Sequence, residues 1–170
     1  SEVKITSVRA TPVLMPRPTP FTSSLGTHAG SENAVVEIET DAGITGVGEA
    51  SSIWDRRGRG CADDINGLLA EALVGRDPTR IRLVTDAMDA LLSRRSAPAK
   101  AGVEMALWDI LGKALDTPVH QLLGGAVRER LALSRSLSMG TVDEVLAQAD
   151  TLVDEGYGTL KMKVGRDAEA

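Results

Sequence analysis

The stretch from residue 130 to 165 constrains the fold most, because it reads as a strand, a helix and a second strand. RLALSRSLS predicts the first strand and TLKMKVG the second, and Thr141 with Glu144 forms a capping box that opens the helix between them. A unit of this kind joins two parallel strands by a right-handed crossover, and parallel sheets are covered by helices. This end of the chain is therefore predicted to begin a parallel α/β layer.

The earlier part of the chain follows a different pattern. Residues 3–13 predict a strand that ends in a proline-studded loop at 16–32, and AVVEIET, DAG and ITGVGEA predict a hairpin that turns at Gly43. Apolar residues at helical spacing then predict three helices, at about residues 65–73, 78–91 and 99–115, the second with Asp77 as its N-cap. A small antiparallel sheet followed by helices indicates an α+β domain.

Charge and hydropathy exclude several classes of function. The net charge of −5 gives no electrostatic footprint for nucleic acid, so the basic clusters at 55–60 and 93–96 are interpreted as solvated loops. Cys61 is the single cysteine, which rules out an intrachain disulfide. No apolar run approaches the roughly 18 residues that a membrane span needs. We expect a cytoplasmic protein that binds neither nucleic acid nor membranes.

Lys161 and Lys163 are the candidate catalytic residues. They share one face of the second predicted strand, while Leu160, Met162 and Val164 share the other, which must meet the crossover helix. In an antiparallel edge strand the two lysines would simply be solvated. In a parallel barrel the same face is the interior, where two cations are unfavourable unless they serve a function. The spacing favours the functional interpretation and leaves the other open.

Three motifs together carry a family resemblance. The run AGVEMALWDILGKALDTPVHQLLGG (101–125), the hairpin VVEIETDAGITGVGEAS (35–51) and TLKMKVG (159–165) resemble the enolase superfamily, specifically its mandelate racemase and muconate lactonizing enzyme family. The resemblance implies an α+β capping domain over residues 1–125, followed over 126–170 by the first two strands of a modified (β/α)8 TIM-type barrel. Because such a barrel has eight strands, we expect the N-terminal part of a longer polypeptide, or half of a split enzyme, that is inactive by itself.

The resemblance also implies a chemistry. It indicates a metal-dependent isomerase or lyase, of the muconate cycloisomerase or mandelate racemase type, that removes the proton α to the carboxylate of a small substrate and forms an enediolate. Lys163 would be the base, and Lys161 would face the substrate carboxylate. Mg²⁺ (or Mn²⁺) would be the cofactor, with its ligands beyond residue 170. We also expect a homo-oligomer, or a second chain that carries the rest of the barrel.

Two loops of the capping domain are implied to cover the mouth of the barrel, at 16–32 and 51–57. Phe21, Leu25, Ile53 and Trp54 on these loops are the candidate substrate-binding residues, although a merely exposed Trp54 is an equal alternative. Other chemically capable side chains have simpler structural interpretations: Glu49, His28, His120, Trp108 and Asp109.

The rival hypothesis for the whole protein is a non-catalytic barrel relative, or an assembly fragment that lacks the metal site. A downstream sequence without three carboxylates at the ends of strands would favour it.

Overall fold

A computed structural model describes residues 3–24, 26–51 and 57–164. The chain forms two compact units, which do not follow a single cut in the sequence. Unit 1 comprises residues 1–15 and 31–126, and unit 2 comprises residues 16–30 and 127–170. A short segment near the N-terminus therefore belongs with the C-terminal part of the chain.

A three-stranded sheet contains β1 (Ile5–Ser23), β2 (Gly26–Thr40) and β3 (Thr45–Ala50), in the order β1-β2-β3. The predicted hairpin is confirmed: β2 and β3 are antiparallel, Val36 lies opposite Gly48, and Gly43 has a φ of 73° in the connecting turn. Val36 and Ile38 are fully buried, so the alternation of the sequence correctly predicted the inner face.

The predicted loop at 16–32 is wrong, because most of it is strand. β1 continues to Ser23 and β2 begins at Gly26. Proline interrupts a central strand but is tolerated at the edge of a sheet, and β1 is an edge strand. N–H groups of alternate residues in a strand point to the same side, so the missing donors all fall on one side of β1, at Pro12, Pro16, Pro18 and Pro20.

Helices cover the sheet in unit 1. They are α1 (Gly58–Asp64), a π-helical segment (Ile65–Leu69), α2 (Ala70–Leu73), α3 (Ile81–Leu91), a 3-10 turn (Arg94–Ser96), α4 (Ala97–Ala114) and α5 (Val119–Leu122). The core lies between these helices and the sheet, and its largest fully buried side chains include Ile38, Ile65, Leu107 and Ile110. Among the described residues, no helix combines the length and the apolarity needed to cross a bilayer.

The predicted N-cap of α3 is wrong. The helix begins at Ile81, with Arg80 before it, instead of at Pro78. Asp77 Oδ1 accepts hydrogen bonds from the Thr79 backbone N–H (2.8 Å) and from its hydroxyl (2.6 Å). The aspartate therefore closes a separate turn in front of the helix, an alternative that short polar side chains regularly offer to the backbone.

In unit 2 the predicted strand, helix, strand unit is confirmed, with shorter strands. β4 (Ser134–Ser136) and β5 (Thr159–Lys161) are parallel, and α6 (Val142–Asp154) connects them. The capping box of Thr141 and Glu144 is present at the start of α6. Met162, expected to face the helix, instead follows the end of β5 and is 61% exposed.

Candidate functional site

A cavity of about 950 Å³ lies within unit 2. Three parts of the unit line it: the tip of the β1–β2 hairpin, β4 with the residues that follow it, and the inner side of α6. Lys163 also lines it, and this is the residue that the family resemblance implies as the base. The structure thus brings the hairpin tip and the lysine-bearing end of the parallel sheet to one place.

The two candidate lysines differ in position. Lys161 pairs with Ser136 in the parallel ladder, so the two side chains share a face of the sheet. Lys161 is exposed and is not among the residues that line the cavity, whereas Lys163 is half-buried and lines it. Because β5 ends at Lys161, Lys163 follows the strand and lies just after its carboxyl end.

Phe21 is the predicted substrate-binding residue that the structure places in the lining of the same cavity as Lys163. It is half-buried and lines the same cavity. The guanidinium carbon of Arg17 lies 5.6 Å from the centroid of the Phe21 ring, within the range of a cation–π contact. The other three predicted substrate-binding residues lie outside the described residues: Leu25, Ile53 and Trp54.

Hydrogen bonds attach the hairpin tip to the end of β4. The Thr22 N–H donates to Ser138 Oγ (2.8 Å), and the Met139 N–H donates to the Thr22 carbonyl (3.0 Å). Gln148 on α6 in turn accepts from the Ser138 N–H (2.9 Å). Ser138 and Gln148 were not among the predicted site residues. A signal was available, because serines alternate at 134, 136 and 138 and so share a face in an extended strand.

The charges around the cavity favour an anion. Among the described residues, Arg17, Arg135 and Lys163 line it together with a single carboxylate, Glu144. The backbone N–H and the hydroxyl of Thr141 both donate to Glu144 Oε2, at 2.8 and 3.0 Å. These hydrogen bonds, the backbone one first, hold the pKa of Glu144 below its ordinary value, and burial opposes them. Glu144 is therefore an ionised helix cap and a poor proton acceptor.

The described residues do not fit a magnesium site. They contain no group of three or more His, Cys, Asp or Glu side chains that could hold a metal ion. The cavity itself offers one carboxylate, which the capping box already uses. Mg²⁺ prefers several oxygen ligands in octahedral geometry, which this part of the chain does not supply.

Asp109, Glu49 and Trp108, which the sequence favours as structural residues, contact other residues of unit 1. Asp109 Oδ2 accepts from the Val47 N–H (2.8 Å) and from Lys113 Nζ (2.7 Å), so it ties α4 to β3. Glu49 accepts a hydrogen bond from the Asn33 side-chain amide. Trp108 is half-buried and packs against the core of unit 1, and both histidines are exposed.

Residues 5–124 match the family described as "Mandelate racemase / muconate lactonizing enzyme, N-terminal domain". The chain belongs to the mandelate racemase and muconate lactonizing enzyme family of the enolase superfamily. The prediction of an α+β capping domain followed by the start of a (β/α)8 barrel is confirmed.

Individual relatives have diverse activities. The chain is 32% identical over 170 residues to N-succinyl-L-Arg/Lys racemase of Bacillus cereus, covering 98% of this chain and 46% of the racemase. It is 38% identical over 140 residues to cis-3-hydroxy-L-proline dehydratase of Roseibium aggregatum, covering 81% of this chain and 38% of the dehydratase.

A solved structure also has a similar fold. The fold is similar to that of muconate lactonizing enzyme from Pseudomonas fluorescens, with a TM-score of 0.90 and 26% identity, covering 98% of this chain and 46% of that one. The chain thus spans less than half the length of the proteins that it matches.

Proposed function

We propose that this chain is the N-terminal part of an isomerase or lyase that removes the proton α to a substrate carboxylate. Lys163 is the base in this proposal, and Lys161, at the end of β5, adds a second positive charge two residues away. The observation that carries the proposal is the position of Lys163 in a cavity that Arg17 and Arg135 also line. A cationic cavity favours a carboxylate substrate and the additional negative charge that develops on its enediolate.

The names of the relatives suggest which substrates to try. They include a racemase of N-succinyl amino acids, a hydroxyproline dehydratase, a hydrophobic dipeptide epimerase and a D-galactonate dehydratase. Each named substrate is a carboxylic acid. We infer a small carboxylate as the substrate class, and an enediolate as the intermediate. Any Mg²⁺ or Mn²⁺ would add positive charge at that intermediate, with ligands beyond residue 170.

The test is exchange of the substrate α-proton with solvent deuterium in the full-length protein, using these four classes of acid. Lys163→Ala should reduce the exchange by at least about 100-fold, because a positioned general base contributes on the order of 10² to 10⁴ in rate. Lys4→Ala is the matched control, since Lys4 is an exposed lysine in unit 1. Undiminished exchange in Lys163→Ala would refute the proposal, and no exchange with any acid in the wild type would favour the non-catalytic alternative.

A further inference from the structure

Thr22 stands out in unit 2 because both of its backbone polar groups bind the chain that follows β4. Its N–H donates to the side chain of Ser138, and its carbonyl accepts from the backbone of Met139. A strand normally pairs through backbone groups at both points. Here a serine hydroxyl replaces one of them.

Gln148 on α6 binds both backbone polar groups of Ser138. Gln148 Oε1 accepts from the Ser138 N–H at 2.9 Å, and Gln148 Nε2 donates to the Ser138 carbonyl at 3.5 Å. The same Nε2 donates to the Glu144 carbonyl at 3.3 Å, which fixes the carboxamide on α6. Ser138 is thus bound on its backbone by Gln148 and on its hydroxyl by Thr22.

The residues that make these contacts are partly shielded from solvent. Ser138, Thr22 and Gln148 are each half-buried, so an unpaired donor there would lose its partner without full compensation from water. Phe21 directly precedes Thr22 and lines the cavity beside Lys163. Displacement of Thr22 would move Phe21 with it.

We propose that Ser138 and Gln148 are positioning residues that set how well the substrate binds, by holding the tip of the β1–β2 hairpin at the cavity that Lys163 lines. Gln148 orients Ser138, Ser138 holds Thr22, and Thr22 places Phe21 against the cavity. The inference rests on the proposed function for its effect on substrate, but the attachment of the hairpin tip can be measured without any activity.

The first measurement is amide hydrogen exchange, resolved by NMR, in the full-length protein. Ser138→Ala should accelerate exchange of the Thr22 and Met139 amides by on the order of five- to tenfold, the effect of losing one hydrogen bond. The Leu137 N–H, which donates to the Lys161 carbonyl within the sheet, should keep its rate and serves as the internal control. Ser138→Thr, which retains a hydroxyl, should restore the wild-type rates.

Two further variants sharpen the measurement. Gln148→Leu should accelerate the same two amides, because Ser138 loses its orienting partner. Ser7→Ala is the matched control, since it removes a serine hydroxyl bound to Glu39 elsewhere on β1 and should leave all three rates unchanged. Unchanged Thr22 exchange in Ser138→Ala, or a parallel rise at Leu137, would overturn the proposal.

The second measurement is steady-state kinetics. Ser138→Ala should raise KM by on the order of five- to tenfold while kcat changes less than about twofold, because the lost contact acts on binding. A fall in kcat at unchanged KM would overturn the positioning role. Failure of the proposed function is distinguishable: there Lys163→Ala would retain α-proton exchange, whatever the amide rates of Thr22.

Discussion

At the scale of single residues, two glycines of β3 show how closely the sheet and α4 approach. A Cβ added at Gly48 would lie 2.0 Å from the Gly102 carbonyl oxygen, and one added at Gly46 would lie 2.1 Å from the Ala106 carbonyl oxygen. The lack of a side chain at these two glycines therefore allows the backbones of β3 and α4 to come into contact. Their position in a hairpin was predicted correctly from the sequence, but their contacts with α4 are visible only in the tertiary structure.

Gly48→Ala should lower the free energy of unfolding by about 1–3 kcal/mol, the usual cost of forcing extra volume into a packed core. The clash is with backbone, which cannot turn aside as a flexible side chain can. Gly67→Ala is the matched control, because a Cβ there meets nothing within 4 Å and the residue is helical. It should raise stability by roughly 0.5–1 kcal/mol. Urea denaturation compares the two, and equal effects would contradict the packing argument.

At the scale of elements, α6 shows a local sequence signal that the structure reproduces. The Glu144 N–H donates to Thr141 Oγ1 at 3.4 Å, while Glu144 Oε2 accepts from the Thr141 backbone. Both partners lie within one turn of the chain, so the pattern needs no tertiary contact to form. That locality is why it could be predicted.

The capping box should give α6 a pH dependence. The pKa of Glu144 is lowered from its ordinary value of 4.5 by the two donors of Thr141, so folding favours the carboxylate. Its contribution to stability is therefore fully present above pH 4.5 and is lost as the pH falls through the lower pKa of the folded state.

The difference in free energy of unfolding between the wild type and Glu144→Gln measures this contribution. It should be largest at neutral pH and shrink in acid. Asp143→Asn removes one negative charge in the same turn without touching the Thr141 contacts, and so controls for net charge. A difference that stays constant between pH 7 and pH 3 would show that the carboxylate does not act through its charge.

At the scale of the whole molecule, the segment 16–30 joins residues 127–170 in one compact unit, whereas the rest of the first 126 residues forms the other. The boundary predicted from the sequence is a single cut after residue 125. Domain boundaries in sequence are inferred from changes of pattern along the chain, and a strand that passes from one unit to another carries no such change.

The absence of a metal-binding group in the described part of the chain leads to a prediction about folding. Adding millimolar Mg²⁺ or EDTA should leave the thermal unfolding midpoint of this 170-residue chain unchanged, because a ligand stabilises only a fold that binds it. Under the proposed function, the same additions to the full-length protein should change the rate of α-proton exchange. A shift of the midpoint of the isolated chain with Mg²⁺ would reveal a site within it.

The sequence by itself determined the features that depend on near neighbours. The turn at Gly43 and the capping box at Thr141 follow from residue types at short spacing. The parallel pairing of β4 with β5 was predicted from the order strand, helix, strand, because such a crossover joins parallel strands. The periodicity of apolar residues also predicted α4, because the residues of one helix face recur every three or four positions.

Only the tertiary structure decided the candidate site. The bond between Thr22 and Ser138 joins residues 116 positions apart, and no local pattern specifies such a pairing. The prolines of β1 suggested a loop, and only its place at the edge of the sheet makes a strand possible there. Lys163 was identified from its spacing, but its neighbours Arg17, Phe21 and Gln148 come from three separate parts of the chain. Short-range sequence patterns determine the helices and strands, whereas long-range packing determines which side chains come into contact.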